Sequence, residues 1–330
     1  MILKETDNRE MKYYFAPLEG ITGHIFRRAY DRFFGGIDAY YTPFLTTRDG
    51  GIMKKKELND IMPENNQGLN IVPQLMTKNP DEFITAAKHI ESLGYSEVNL
   101  NLGCPSGTVV PKGKGAGFLR NPGELDAFLD RIYSGCQIAV SIKSRLGFDS
   151  VDEFRTLLDI YKKYPVRLLI LHLRTRNEWY EGSVHYEVFR YALDELQNTA
   201  IPLCYNGDIT SIDDINRIEK NYPAAKDTAA MQGIMIGRGF LSHPGFAGNA
   251  NLKGSYEDTY LLLDFVKSLQ AEYEHVLFGE TPVLFKMKEL WSHLADSFPE
   301  GKKLFKRIKK SRTLAELSEI YDSLQAVTFL

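Results

Sequence analysis

Residues 97–105 read EVNLNLGCP. Val98, Leu100 and Leu102 alternate with Glu97, Asn99 and Asn101, the period of a strand with one apolar and one polar face. The run stops at Gly103-Cys104-Pro105, where glycine permits a sharp bend and proline fixes the next φ. Cys104 is therefore expected at the carboxyl end of a strand, with two amides behind it. Free cysteines are often plain core residues, so this segment alone leaves a structural thiol as the alternative to a reactive one.

Strands and helices alternate outward from this point. Before it, strands are expected at 13–17 (YYFAP), 38–44 (DAYYTPF) and 69–76 (LNIVPQLM), and Pro73 marks a bulge or a strand end. Thr22 reads as the cap of a first helix, GHIFRRAYDRFF, and Asn79 as the cap of PDEFITAAKHIES, with Pro80 at its first position and Gly94 beyond its end. After Cys104 the segment SGTVVPKGKGAGFLR holds four glycines and a proline and reads as a long, irregular lid loop. Asn121 is the expected cap of PGELDAFLDRIYSG, and Asp149 or Ser150 opens the helix that runs to Lys163. Four more strands follow at 137–144, 166–173, 201–206 and 232–236, with a helix near 186–196 and Ser211 capping another. Eight strands at βαβ spacing indicate a (β/α)8 barrel; a doubly wound sheet is the alternative, but the first strand lacks a GxGxxG turn.

Beyond Pro244 strand patterns cease and four helical periods follow, so the chain divides into a barrel at 1–245 and a C-terminal helical bundle at 246–330. In that tail KKLFKRIKKSR (302–312) carries seven basic residues and no acidic one, either a solvated helix face or a nucleic-acid surface. The whole chain of 330 residues has a net charge of −3 and 43% hydrophobic content, so general coating of nucleic acid is excluded. Cys104, Cys136 and Cys204 are odd in number and widely spaced, and the histidines lack ligand spacing, which excludes a disulfide framework or a zinc site. No apolar signal core or membrane-length run occurs. A cytoplasmic, monomeric protein with no membrane partner and no bound metal is expected.

Catalytic groups of barrels sit at the carboxyl ends of strands. There the chain places Pro17, Gln74, Asn101 with Cys104, Lys143, His172 with Arg174, Asn206, and Gly237 with Arg238. Gly207 and Gly237 to Gly239 follow strands seven and eight, where barrels bind phosphate, and Arg238 adds a cationic fork. Lys143 lies two strands from that phosphate end, where its charge suits the ring of a reduced flavin, and the amides of Gln74 and Asn101 suit the ring edge. Flavin mononucleotide (FMN) is the candidate cofactor. Taken singly, Gln74 and Asn101 also fit satisfied barrel amides.

Seven segments in register, APLEGIT (16–22), PQL (73–75), NLNLGCP (99–105), SIKSRLG (141–147), HLRTR (172–176), NGDI (206–209) and IGRG (236–239), resemble the tRNA-dihydrouridine synthases. The resemblance implies an FMN enzyme, recharged by NADPH, that reduces the C5–C6 double bond of uridines in tRNA. It also implies that Cys104 is the acid that protonates C5. Ala16, Pro17, Leu18, Gln74, Lys143 and His172 would hold the flavin, with Asn206, Gly207, Asp208, Gly237 and Arg238 at its phosphate end. Asn101 would sit beside flavin and uracil, and Arg174 near the substrate. Lys286, Lys288, Lys302, Lys303, Lys306, Arg307, Lys309 and Lys310 would contact tRNA. The sequence departs from the family pattern at Leu18 and Thr22-Gly23, where methionine and a Thr-Asp pair are common, and at Asn99, where aspartate is common; these positions bear on pocket shape and specificity. A protonated thiol, with an ordinary pKa of about 8.5, suits an acid; the nearby Lys112 and Lys114 leave a thiolate open. The rival readings are an FMN barrel oxidoreductase acting on a dihydroorotate- or enoate-like small molecule, and a non-catalytic tRNA-binding barrel.

Overall fold

The computed structural model describes residues 11–51, 53–222, 231–246, 256–298 and 300–327. The segment 1–10, read above as lacking a signal core, lies outside the described residues, as do 247–255 beside the expected boundary at 245/246. Eight parallel strands close into a barrel in sequence order: β1 (Lys12–Phe15), β2 (Ala39–Thr46), β3 (Ile71–Met76), β4 (Glu97–Leu102), β5 (Ala139–Arg145), β6 (Leu169–His172), β7 (Leu203–Asn206) and β8 (Met231–Ile236). The expected (β/α)8 barrel is thus present, followed by C-terminal helices.

The helices after successive strands are α1 (His24–Phe33), α2 (Lys55–Asp60), α3 (Pro80–Ser92), α4 (Pro122–Gly135), α5 (Glu153–Tyr161), α6 (Tyr186–Leu196), α7 (Ile212–Asn221) and the five-residue α8 (Arg238–Ser242). Alternation sorts the strand residues into two apolar layers. Val98, Leu100, Val140 and Ile142 face the helices, whereas Tyr14, Tyr41, Val72, Ile170, Cys204 and Met235 fill the barrel interior. Pro73 does not end β3. The irregularity lies in β2, where Thr42 and Pro43 oppose Pro73 between the pairs Tyr41–Val72 and Phe44–Gln74. Two prolines that cannot donate to the ladder face each other there, and Gln74 N–H donates instead to Thr42 Oγ1 at 3.1 Å.

The capping expectations divide. Asn79 Oδ1 accepts from Asp81 and Glu82 N–H, and Ser211 forms a capping box with Asp214, as the sequence indicates. Thr22 does not cap α1, because its hydroxyl is bonded to Leu18 in the preceding turn. Asn121 stands at the cap position of α4 without a side-chain cap bond. α5 opens at Glu153, later than expected, and its carboxylate reaches back to the N–H groups of Phe148, Asp149 and Ser150. The segment after Cys104 is also more ordered than its glycines suggest. It forms 3-10 turns at Val110–Lys112 and Gly115–Arg120, and residues from Gly115 to Leu119 are buried.

The missing cap of α1 is supplied from α2. Asp60 accepts from His24 N–H at 2.6 Å and from Arg27 Nη1 at 2.9 Å, while Arg27 also donates to Thr22 O and Asn66 Oδ1. Burial alone would raise the Asp60 carboxyl, but the hydrogen bonds from His24 and Arg27 overcome it and hold the group at about 2, against 3.8 ordinarily. A depressed carboxyl contributes stability above its unfolded value, and the contribution fades as pH falls through about 2. Asp60→Asn is therefore expected to cost about 2 kcal/mol at neutral pH and progressively less between about pH 4 and pH 2. Urea unfolding across that range checks it, and a pH-independent difference would contradict it.

Among the described residues the tail forms α9 (Tyr256–Val276), α10 (Glu280–Leu294), α11 (Gly301–Lys310) and α12 (Leu314–Val327), the four helices expected. α9 packs on the barrel shell, with Phe265 against Phe26, Tyr30, Phe33 and Phe34. The remaining helices close around Trp291, whose indole N–H donates to Tyr321 OH at 3.0 Å. No helix among the described residues is long and apolar enough to cross a membrane.

Candidate active site

A cleft with about 1040 Å³ of free space, its solvent-open part included, occupies the carboxyl end of the barrel. Cys104 lines it together with Ala16, Pro17, Leu18, Gln74, Asn101, Lys143, His172, Asn206, Gly207, Asp208, Gly237 and Arg238. Residues up to 222 positions apart in the chain thus meet because each follows, or ends, a parallel strand of one barrel.

Cys104 sits on a held turn. Asn101 Oδ1 accepts from Gly103 N–H at 3.1 Å and from Cys104 N–H at 3.0 Å, and Cys104 O accepts from Ala116 N–H of the following 3-10 turn. Burial pushes the Cys104 thiol up, against the opposing pull of Ser106 N–H, Arg145 and Lys143. The thiol therefore keeps its proton at neutral pH. Lys112 is exposed and does not figure among the groups that bear on it.

Lys143 points into the barrel and donates to Asn206 Oδ1 at 3.1 Å, while Asn206 Nδ2 donates to Met235 O and fixes that amide. Burial, then the neighbouring Arg145, pulls Lys143 down to about 8, so it is charged at pH 7 at some cost and favours a negative partner. His172 is buried and held well below its ordinary value by burial and by Arg145, Lys143, Arg174 and Arg238. It is neutral, and its Nδ1 has no hydrogen-bond partner among the described residues.

At the ends of β7 and β8, Gly207 has φ +143° and Asp208 φ +42°, a backbone path that glycine relieves at the first position. Gly239 is fixed by packing, since a Cβ there would lie 2.1 Å from Ile209 O. Asp208 lines the cleft, but its carboxylate is taken up by Arg174 and by Arg238 at 3.5 Å. Arg174 does not line the cleft. It is buried, and its guanidinium donates to Asp208, Glu181 O and Gly182 O. Its place is behind the wall, fixing Asp208 and the loop after β6.

Arg145 and Tyr180 are among the cleft residues that escaped the sequence reading. Arg145 is 2% exposed and donates to Gly103 O, Thr175 O and Trp179 O. It continues the inward alternation Ser141, Lys143, Arg145, so the period that singled out Lys143 contained it. Tyr180 has no such signal: it lies in an irregular loop, yet its ring meets Arg145, Arg238 and His172 at the rim.

The tail lysines fall into two groups. Lys286 of α10 donates to Gly20 O in the loop after β1, and Lys288 donates to Ser311 O, so these two bind the tail to itself and to the barrel. Lys302, Lys303, Lys306, Arg307, Lys309 and Lys310 are exposed on α11, which buries Leu304 and Ile308 on its other face.

The profile of one family, Dihydrouridine synthase (Dus), matches residues 14–327, almost the whole chain, from within β1 to the end of α12. The chain belongs to the dihydrouridine synthase family. Its similarity to family members spans both regions. It is 28% identical over 327 residues to the tRNA-dihydrouridine(16) synthase of Pseudomonas putida, covering 94% of this chain and 96% of that one. It is 25% identical over 321 residues to a probable tRNA-dihydrouridine synthase of Staphylococcus epidermidis, covering 95% and 94%. With the probable tRNA-dihydrouridine synthase 2 of Bacillus subtilis the identity is 29% over 240 residues, 70% of each chain. Membership makes this chain an enzyme of the dihydrouridine synthase type. Among the described residues no group of three or more His, Cys, Asp or Glu could hold a metal ion.

Proposed function

We propose that this chain reduces the C5–C6 double bond of uridines in tRNA to 5,6-dihydrouridine, with FMN held in the barrel mouth, NADPH as reductant and Cys104 as the proton donor. The observation that carries the reading is one cleft that holds a thiol kept protonated by burial, a partly buried lysine and a neutral histidine with an unpartnered nitrogen.

The residues fit the cofactor. The partly buried Lys143 gives one N–H to Asn206 Oδ1 and keeps others for an anionic partner, and the orphaned His172 Nδ1 needs an acceptor when it carries the proton. Gly207, Gly237 and Arg238 offer backbone N–H groups and a cation for the phosphate end. Asp208 serves there indirectly, by fixing Arg238, and Arg174 acts one step further back. Ala16, Pro17 and Leu18 form an apolar wall. When bound, FMN supplies the hydride for C6, and NADPH restores it. Cys104 Sγ–H gives its proton to C5 and regains one from solvent. Lys143 offsets negative charge at the ring.

A uridine in folded tRNA must leave its stack to reach this depth. The barrel, 1–245, would carry the chemistry and the helical region, 246–330, the tRNA contacts. Within that region the phosphate contacts fall to the exposed face of α11; Lys286 and Lys288, engaged by carbonyl oxygens, hold the platform. Absorbance of bound flavin in the purified protein, with NADPH-dependent dihydrouridine formation in unmodified tRNA, tests the whole reading. Flavin without activity on tRNA would sink it.

Lys306→Glu with Arg307→Glu is expected to weaken tRNA binding on the order of tenfold at low salt and to flatten its salt dependence, because phosphate contacts release counterions. Flavin binding should not change. Unaltered affinity and salt slope would remove α11 from the interface.

A further inference from the structure

One side-chain chain crosses the barrel interior beneath the cleft. Gln74 pairs in register with Asn99, and Asn99 with Ser141. Cys104 N–H donates to Asn101 Oδ1, Asn101 Nδ2 to Gln74 Oε1 at 2.7 Å, Gln74 Nε2 to Asn99 Oδ1 at 2.8 Å, and Asn99 Nδ2 to Ser141 Oγ at 2.8 Å. Every link runs in the same direction. Gln74 and Asn99 are fully buried.

We propose that Asn99, which does not line the cleft, is a positioning residue that fixes the Gln74 and Asn101 amides so that both present N–H, and not C=O, to the ligand. Turning the Gln74 amide over would set its oxygen against Asn99 Oδ1 and its nitrogen against Asn101 Nδ2, two repulsive pairs in a dry interior. Turning Asn99 would set its nitrogen against Gln74 Nε2. The carbonyl oxygens of both cleft amides are already occupied, Gln74 Oε1 by Asn101 and Asn101 Oδ1 by the turn of Cys104. Each amide nitrogen keeps a second N–H. The complementary ligand edge is therefore one of acceptors, carbonyl oxygens or bare ring nitrogens, as on the pyrimidine side of a flavin. The same links couple that choice to the backbone that carries Cys104. The inference rests on the flavin reading for its ligand, but the amide orientation stands on the protein's own hydrogen bonds.

The test compares wild type with Asn99→Leu, which removes the acceptor, and Asn99→Asp, which keeps an oxygen toward Gln74 whether protonated or not. FMN affinity and the bound-flavin absorption band are measured on the purified full chain, with thermal unfolding as the folding control. Asn99→Leu is expected to weaken FMN binding on the order of tenfold and to shift the band. Asn99→Asp should stay within about twofold of wild type, since it restores the acceptor. Wild-type affinity and spectrum in a folded Asn99→Leu, or equal loss in both variants, would overturn the proposal. If Asn99→Leu fails to fold, Ser141→Ala takes its place, with a loss of about threefold expected and no loss counting against it. If wild type binds no FMN, the functional reading fails while the positioning role is still read by NMR: the Gln74 side-chain amide protons should be protected from exchange in wild type and lose that protection in Asn99→Leu. Equal protection in both would overturn it.

Discussion

Cys104→Ala is expected to leave flavin bound while dihydrouridine formation falls by about 100- to 10,000-fold, the range for loss of a positioned general acid. None of the contacts proposed for the cofactor is made by the Cys104 side chain, and the Cys104 backbone bonds to Asn101 and Ala116 do not need the thiol. Cys104→Ser should fall nearly as far, because a hydroxyl is a far weaker acid. The pH dependence has a defined sign. Burial raises the thiol above its ordinary value, so the proton is present through neutrality and the rate should decline only on the alkaline side. Single-turnover reduction of tRNA by pre-reduced enzyme measures this. Wild-type rates in Cys104→Ala would remove the thiol from the chemistry.

Arg145→Met is expected to destabilise the protein by about 3 kcal/mol or more and to loosen the turn that carries Cys104. Its guanidinium reaches three carbonyl oxygens at 2.7–2.8 Å, Gly103 just before Cys104, and Thr175 and Trp179 of the loop after β6. Each buried carbonyl left without a donor costs about 1–3 kcal/mol. Arg145→Lys should recover little, since an ammonium group cannot fork to carbonyls in three directions. Denaturant unfolding measures the stability. Reactivity of Cys104 toward a thiol reagent measures the turn, and should rise as the half-buried thiol gains access to water. Unchanged stability and reactivity would show that the three carbonyls find water instead.

The α11 substitutions differ from both in kind. They act on exposed charge, so their effect vanishes at high salt, whereas losses at the half-buried Cys104 and the buried Arg145 do not act through screened surface charge and persist.

Much of the barrel is legible in the sequence because strand alternation is a local property. EVNLNLGCP and QIAVSIKS each declare an apolar and a polar face within a few residues, QGIMI reads as a short apolar run, and the strands so marked close into the barrel. The turn at Cys104 is local as well, written in Gly103 and Pro105. The helix starts were less legible, since a cap requires an acceptor and not a particular neighbour. α1 takes its acceptor from Asp60, 36 residues away, and Thr22, correctly placed in sequence, is used by its own turn.

Charge was the least legible feature. The sequence shows that Arg174, Asp208, Lys286 and Lys288 are charged but not what each one meets. Only the folded chain spends Arg174 on Asp208 and two loop carbonyls, places Lys286 and Lys288 against backbone oxygens, and leaves the basic face of α11 in solvent. It alone draws Arg145 under Cys104 and lines up Asn101, Gln74, Asn99 and Ser141 in one direction. Periodicity decides which way a side chain points, because that depends on its own backbone. Its partner depends on chain closure between distant strands, and that is decided when the barrel shuts.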